Sequence, residues 1–130
     1  MTNERRHVET APQKALAAVR LDAELVAGCP DPYEIGRNIH SAAMSAASGD
    51  SPDAEQCWAL WLLWGALTDW VEQRPDERSE AVKLMRRAAK EWLELPDEEP
   101  AWRRYFDHWL YSEMGMERSK DASAGSPREQ

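Results

Sequence analysis

Between residues 8 and 115, hydrophobic residues recur every three to four positions, which is the spacing of an amphipathic helix. No segment alternates hydrophobic and polar residues, so the pattern predicts no β-sheet. Prolines and glycines divide the region into five predicted helices, at about 11–27, 32–48, 52–73, 75–95 and 100–114. We therefore expect an all-α fold, a compact single-domain bundle of about five helices. In the last two helices the predicted inward-facing residues are Ala81, Val82, Met85, Ala88, Ala89 and Trp92, then Trp102, Tyr105, Phe106, Trp109 and Leu110.

The third predicted helix is the most unusual part of the pattern, because it is apolar around nearly its whole circumference. It holds four of the seven tryptophans, all within the segment Trp58–Trp70. A helix without a polar face is normally buried, so we expect this segment to be the centre of the bundle. Two interpretations of the indoles stay open. They fill the core, or several of them line a pocket for an apolar or cationic ligand.

The second predicted helix has the opposite character, because Gly, Ala and Ser make up much of its body. Small side chains allow a short distance between helix axes, so we expect this helix to pack tightly against a neighbour. Its start combines three N-terminal features: Asp31 as the N-cap, Pro32 in the first turn and Glu34 at the capping-box position.

The net charge of −8 belongs entirely to residues 11–115, because the charges on either side of that region balance. Such an acidic chain is a poor match for nucleic acid. Eleven of the nineteen acids in this region lie at predicted helix starts, where carboxylates interact favourably with the helix dipole. Local helix chemistry therefore accounts for most of the surplus, and DNA mimicry is disfavoured. Polar, charge-balanced composition predicts disorder in residues 1–7 and 116–130, flanking a domain at 8–115.

Several features favour a cytoplasmic protein. The chain starts without an apolar targeting segment, and its longest apolar run, residues 57–68, is too short to span a membrane. We expect no membrane partner. Cys29 and Cys57 are the only cysteines and are expected to be reduced. Twelve Arg against four Lys, with abundant Ala, is typical of GC-rich bacterial genomes, so we interpret the chain as bacterial.

Candidates for catalysis are few. Asp69 is the one acid within the tryptophan segment, so its carboxylate is either paired, exposed to water near the helix end or a charged contact in a pocket. Tyr105 and His108 are further polar candidates. The chain lacks the spacings typical of zinc, di-iron, phosphate-loop and serine-hydrolase sites. We therefore expect no metal and no cofactor, and the absence of these motifs favours a non-catalytic protein over an enzyme.

One basic stripe stands out on this acidic chain. Lys83, Arg86, Arg87 and Lys90 share one face of the fourth predicted helix. They form either a solvated face or a docking surface for a protein that is acidic at the contact, with Arg103 and Arg104 as further contributors.

The leading hypothesis is a small interaction protein, such as an adaptor, an inhibitor or an immunity-type protein, acting by surface binding. The alternative is a small-molecule-binding protein or enzyme with a Trp-lined pocket and Asp69 as the charged contact. Self-association stays open under both hypotheses.

Overall fold

The helices pack as a bundle around the helix that carries the tryptophan segment. The computed structural model describes residues 10–116, and these form five α-helices, a 3₁₀ turn and a π-helix. In chain order the elements are α1 (Ala11–Gly28), α2 (Tyr33–Ser45), α3 (Pro52–Gln73), the 3₁₀ turn (Pro75–Glu77), α4 (Arg78–Glu94), α5 (Glu99–Phe106) and the π-helix (Asp107–Glu113). The described residues contain no strand, and the predicted all-α bundle is confirmed.

The predicted disordered ends fall almost entirely on residues 1–9 and 117–130, which lie outside the described part of the chain. Met116 is the exception. Its side chain packs against the core, and its backbone N–H donates a hydrogen bond to the Leu110 carbonyl at 2.9 Å. The bundle therefore includes Met116, one residue beyond the predicted end of the domain.

Two of the predicted helix starts carry side-chain caps. The Thr10 hydroxyl accepts a hydrogen bond from the Gln13 backbone N–H, and the Gln13 side chain accepts one from the Thr10 N–H, which forms a capping box at the start of α1. At α3 the Ser51 hydroxyl accepts from the Ala54 N–H at 3.1 Å. These caps satisfy backbone donors that the first turn of a helix leaves free.

The start of α2 differs from the prediction. The helix begins one residue later than predicted, with Pro32 at the N-cap position and no cap from its side chain, so the assignment of Asp31 as N-cap and of Glu34 to a capping box is wrong. Asp31 still lies beside the first turn, where its Oδ1 accepts a long hydrogen bond from the Tyr33 N–H at 3.5 Å. Both oxygens of Asp31 accept hydrogen bonds from one nitrogen of Arg78, at 2.9 and 2.7 Å, which ties the α1–α2 loop to the start of α4.

The helix α3 is central, since it contacts every other α-helix. Trp64 is 1 % exposed, and three leucines of the same helix are fully buried: Leu60, Leu63 and Leu67. Burial does not extend around the whole helix, however. Trp61 and Trp70 are half-buried, and Trp58 is 46 % exposed. The neighbouring helices leave the Trp58 side uncovered, so this part of the expectation is corrected.

The predicted close packing of α2 is found against α3. A Cβ added at Gly36 would lie 3.3 Å from both the Trp64 ring and the Thr68 methyl group. A Cβ added at Gly65 would lie 3.0 Å from Cε1 of His40. That imidazole is held in place, because its Nδ1–H donates to the Trp61 carbonyl at 3.2 Å. Glycines on both helices therefore permit the close approach.

We expect Gly65→Ala to have opposite effects in two backgrounds. In the wild-type chain the added methyl group presses on His40, and overpacking of this kind costs about 1 kcal/mol or more. In a His40→Ala background that neighbour is gone, and the better helix propensity of Ala should stabilise the protein by up to about 1 kcal/mol. Urea denaturation of the four variants measures both effects. Stabilisation of equal size in both backgrounds would show that His40 does not restrict the site.

The last predicted helix changes its geometry part-way along. It is α-helical only to Phe106, and residues 107–113 form a π-helix, so the expectation of one α-helix to about Met114 is wrong. The wider turn is visible in its bonding, since the Met114 N–H donates to the Trp109 carbonyl five residues earlier, at 3.0 Å. All five predicted inward-facing residues of this region are nevertheless buried.

Candidate binding groove

A groove lined with aromatic side chains lies between the N-terminal half of α3 and the α5–π-helix segment. Its volume is about 400 Å³, and it opens to solvent. Its lining residues define what we call the aromatic groove: Glu55, Trp58, Ala59, Trp102, Arg103, Arg104, Phe106, Asp107, Leu110 and Tyr111. The groove lies where the covering of α3 is incomplete, since Trp58 is 46 % exposed there.

Two tryptophans give the groove its apolar character. Trp102 is only 7 % exposed and packs edge-on against Phe106, so it forms a fixed wall. Trp58 lies at the surface with 46 % of its area exposed. Exposed apolar area is unfavourable at about 25 cal/mol per Å², so a ligand that covers the Trp58 ring recovers that free energy. The groove therefore combines a rigid apolar wall with an exposed aromatic residue.

Arg103 places a fixed positive charge on the same wall. Its guanidinium stands 4.6 Å from the centre of the Trp102 ring, donates to both carboxylate oxygens of Glu55 at 3.1 and 2.9 Å, and donates to Glu99 at 2.6 Å. The hydrogen bonds that Arg103 donates to Glu55, and then those to Glu99, raise the pKa of Arg103 above its ordinary value. Stacking and ion pairing thus orient this side chain before any ligand arrives.

Arg104 is the groove cation that is left available. Its side chain is exposed, and it forms no ion pair with any residue in the described range 10–116. It also borders a second cleft of about 430 Å³ on the other side of α5, which includes Tyr105, His108 and Trp109. An exposed, unpaired guanidinium beside an apolar groove is suited to bind a carboxylate.

The first catalytic candidate lies away from the aromatic groove. Asp69 is exposed on the C-terminal half of α3 and is not among the residues that line it. It shares a side of the helix with Trp58, which is the side that the bundle leaves uncovered. The Asp69 carboxylate is therefore solvated by water and needs no buried partner, which is one of the alternatives given by the sequence.

The other two catalytic candidates are engaged by neighbouring groups. The buried Tyr105 hydroxyl donates to the Ala88 carbonyl at 2.6 Å, and burial raises the pKa of Tyr105 well above its ordinary value. Exposed His108 places Nε2 2.8 Å from a carboxylate oxygen of Glu113, five residues further along the π-helix. Tyr105 therefore joins α5 to α4, and His108 joins the ends of the π-helix. The structure does not bring either residue together with Asp69.

The basic stripe on α4 divides into two kinds of side chain. Arg86 donates to the Cys29 carbonyl at 3.2 Å, just after the end of α1, where carbonyls lack helical partners. Arg87 lies 4.7 Å from the centre of the Trp109 ring and pairs with Glu91 and Glu113. Its hydrogen bond to Glu113 is the main cause that lowers the pKa of that carboxyl group. Both arginines therefore hold the bundle together.

The two lysines of the stripe differ from the arginines. Lys83 and Lys90 are exposed, and neither pairs with an acid in the described part of the chain. Lys83 and Arg86 line a shallow cleft of about 420 Å³ together with Arg78, which is already paired with Asp31. Docking at this stripe stays a prediction, and the lysines are the members with freely available charge.

Residues 10–116 supply no group of three His, Cys, Asp or Glu side chains that could hold a metal ion. In the same range, none of the helices has the length and apolar character needed to cross a bilayer. The fold and the groove define a single-domain all-α bundle with an open aromatic cleft. Comparison of the chain with protein-family models, with curated proteins and with solved structures finds no match.

Proposed function

We propose that this chain is a small cytoplasmic interaction module, and that it binds a segment of a partner protein in the aromatic groove. The observation that carries the proposal is the exposed indole of Trp58 beside a groove that already holds Trp102, Tyr111 and two arginines. Trp, Tyr and Arg are the residue types enriched at the energetic centres of protein interfaces. A surface of this composition favours an adaptor or inhibitor over an enzyme.

The chemistry of the groove specifies the partner segment. An apolar side chain, aromatic or aliphatic, matches the space between Trp58 and the Trp102 wall. Arg103 is neutralised by Glu55 and Glu99, whereas Arg104 pairs with no acid among residues 10–116 and can receive an acidic group. We therefore infer a short segment with an apolar anchor next to an Asp or Glu, in line with the expectation of a partner that is acidic at the contact.

The test is selection of short peptides from a displayed library against the purified protein. Selected peptides should share the apolar–acidic pattern, and Trp58→Ala should weaken their binding at least about thirtyfold, which corresponds to a hot-spot loss of about 2 kcal/mol. Arg104→Ala should weaken binding less. Lys90→Ala is the matched control, because Lys90 is exposed, pairs with no acid in residues 10–116 and does not line the groove, so its removal should leave binding unchanged. Peptides that bind Trp58→Ala as tightly as the wild-type chain would refute the groove as the site.

A second candidate function is small-molecule binding in the same groove, favoured by its volume. About 400 Å³ is within the usual range for ligand sites, and the indole faces suit aromatic or cationic molecules. Asp69 lies too far along α3 to line this groove, so the charged contact would come from Glu55. Ligand-observed NMR with a fragment library tests this candidate. Fragments that bind with micromolar affinity and lose it with Trp58→Ala, in a protein that selects no peptide, would favour the small molecule.

A further inference from the structure

One face of α1 is exposed and largely apolar. The buried residues of this helix, Ala15, Val19, Ala23 and Val26, form one stripe that packs into the bundle. At about 100° per residue, the face centred on Leu21 points away from that stripe and consists of Lys14, Ala17, Ala18, Leu21, Glu24, Leu25 and Gly28, of which Ala18 is half-buried. Leu21 is 64 % exposed and Leu25 is 58 % exposed, more than any other large hydrophobic residue in the described range. A solvent-facing helix surface is ordinarily polar, so this face is unusual.

We propose that this face pairs with the same face of a second copy of the chain, with the two α1 helices antiparallel about a two-fold axis near Leu21. A two-fold interface uses one patch twice, so the patch must be complementary to itself. With a rise of about 1.5 Å per residue, Leu25 lies about 6 Å from the axis and Ala18 about 4.5 Å from it in the opposite direction, on the same flank. Leu25 of each copy therefore meets Ala18 of the other, a large residue against a small one.

The charges on the other flank are complementary in the same arrangement. Along the helix, Arg20 lies about 1.5 Å before the axis and Glu24 about 4.5 Å after it. In the antiparallel pair, Glu24 of one copy comes within about 3 Å, measured along the helices, of Arg20 of the other, and the symmetry gives two such pairs. In a parallel pair, the Glu24 flank of one copy would instead face the Leu25 flank of the other, and Glu24 would have no Arg20 to meet. Arg20 is exposed and can take part, because within residues 10–116 its side chain donates only a long hydrogen bond of 3.4 Å, to the Leu93 carbonyl.

This surface is separate from the aromatic groove, since the two share no residue. The inference therefore goes beyond the proposed function, and a dimer would present two grooves. A contact between single helices is smaller than a standard interface of about 1,600 Å², so association is best measured over a wide range of protein concentrations.

Sedimentation equilibrium of the full chain tests the pairing. The wild-type chain should show a concentration-dependent dimer, and Leu21→Glu should raise its dissociation constant at least about tenfold, because the change places a carboxylate on the axis twice. Met44→Glu is the matched control, since Met44 is 48 % exposed on α2, and it should dimerise like the wild type. Unchanged helical content by circular dichroism shows that each variant folds. A wild-type chain that stays monomeric at millimolar concentration, or a Leu21→Glu variant that dimerises as well as the wild type, would overturn the proposal.

Charge exchange tests the antiparallel register. Arg20→Glu and Glu24→Arg should each weaken the dimer, and the double variant should restore the dissociation constant to within about threefold of the wild type. Leu21→Cys in a Cys29→Ser background gives an independent readout, because the two-fold axis brings the two new thiols together. This variant should form a disulfide-linked dimer under mild oxidation, while Met44→Cys should not. Failure of the double variant to restore binding, or equal crosslinking at position 44, would contradict the pairing.

Discussion

Replacing Trp64 with Ala should lower the free energy of unfolding by about 3–5 kcal/mol, the usual cost of truncating a buried large aromatic side chain. Trp64 is 1 % exposed and its ring lies beside Gly36, where α3 packs against α2. The cavity would lie between two helices held by contacts on both sides, so it cannot collapse easily. Urea denaturation measures the change as a lower midpoint with an unchanged slope.

Trp58→Ala is the matched control for this prediction. It removes the same indole from the same helix, but the side chain is 46 % exposed. We expect a loss of no more than about 1 kcal/mol, because substitutions at exposed sites have small effects. Equal losses for Trp58→Ala and Trp64→Ala would mean that Trp58 belongs to the core, and the case for the aromatic groove as a binding surface would fail.

Replacing Trp109 with Ala should lower the free energy of unfolding as much as Trp64→Ala does, by about 3–5 kcal/mol. Trp109 is fully buried, its indole N–H donates to Glu91 at 2.8 Å, and Arg87 covers its ring. The variant therefore loses apolar packing, a hydrogen bond to a carboxylate and a cation–π contact together.

Trp109→Phe separates these contributions. Phenylalanine keeps much of the buried ring but has no N–H to donate to Glu91. We therefore expect its free energy of unfolding to lie between those of the wild type and the Ala variant. Denaturation of the three proteins gives the order. If Trp109→Phe is as unstable as Trp109→Ala, the polar contacts dominate at this position, and if it matches the wild type, they contribute nothing.

The contacts of Arg87 also affect how a charge-reversal experiment on α4 should be interpreted, because a loss of binding could come from a loss of stability. Arg87→Glu would oppose Glu91 and Glu113 and expose one face of Trp109, so it should destabilise the bundle whether or not the stripe binds a partner. Lys83 and Lys90 carry no such contacts in residues 10–116, and reversals there are the cleaner probe of docking. Periodicity shows which side chains share a face of a helix. It does not show which groups on other helices they meet.

The fold could be predicted from the sequence because the signals that define its helices lie within a few residues of one another. The capped starts of α1 and α3 and the inward stripes of α4 and α5 each depend on residues a few positions apart. The sequence did not show that α2 begins one residue later than predicted, or that distant Arg78 shares the Asp31 carboxylate with the Tyr33 N–H. The π-helix also departs from the pattern, and the regular spacing of apolar residues around Trp109 gave no indication of it.

The aromatic groove could not be predicted for a related reason. It joins Trp58 on α3 to Trp102 and Arg103 on α5, and helical periodicity does not specify how two distant segments are placed against each other. The sequence did identify the tryptophans and the two neighbouring arginines as candidates. It directed attention to Asp69, however, because a lone carboxylate in a buried apolar segment would need a partner for its charge. The uncovered side of α3 removes that need.

The fixed position of Arg103 lowers the entropic cost of binding a ligand in the groove. A long cationic side chain normally loses rotational freedom when a ligand orders it, at a cost of about 0.5–1.5 kcal/mol per residue. Glu55, Glu99 and the Trp102 ring have already restricted Arg103 during folding. A ligand that touches this wall therefore meets a preorganised surface, and the remaining entropic cost falls on Trp58, Arg104 and the ligand itself.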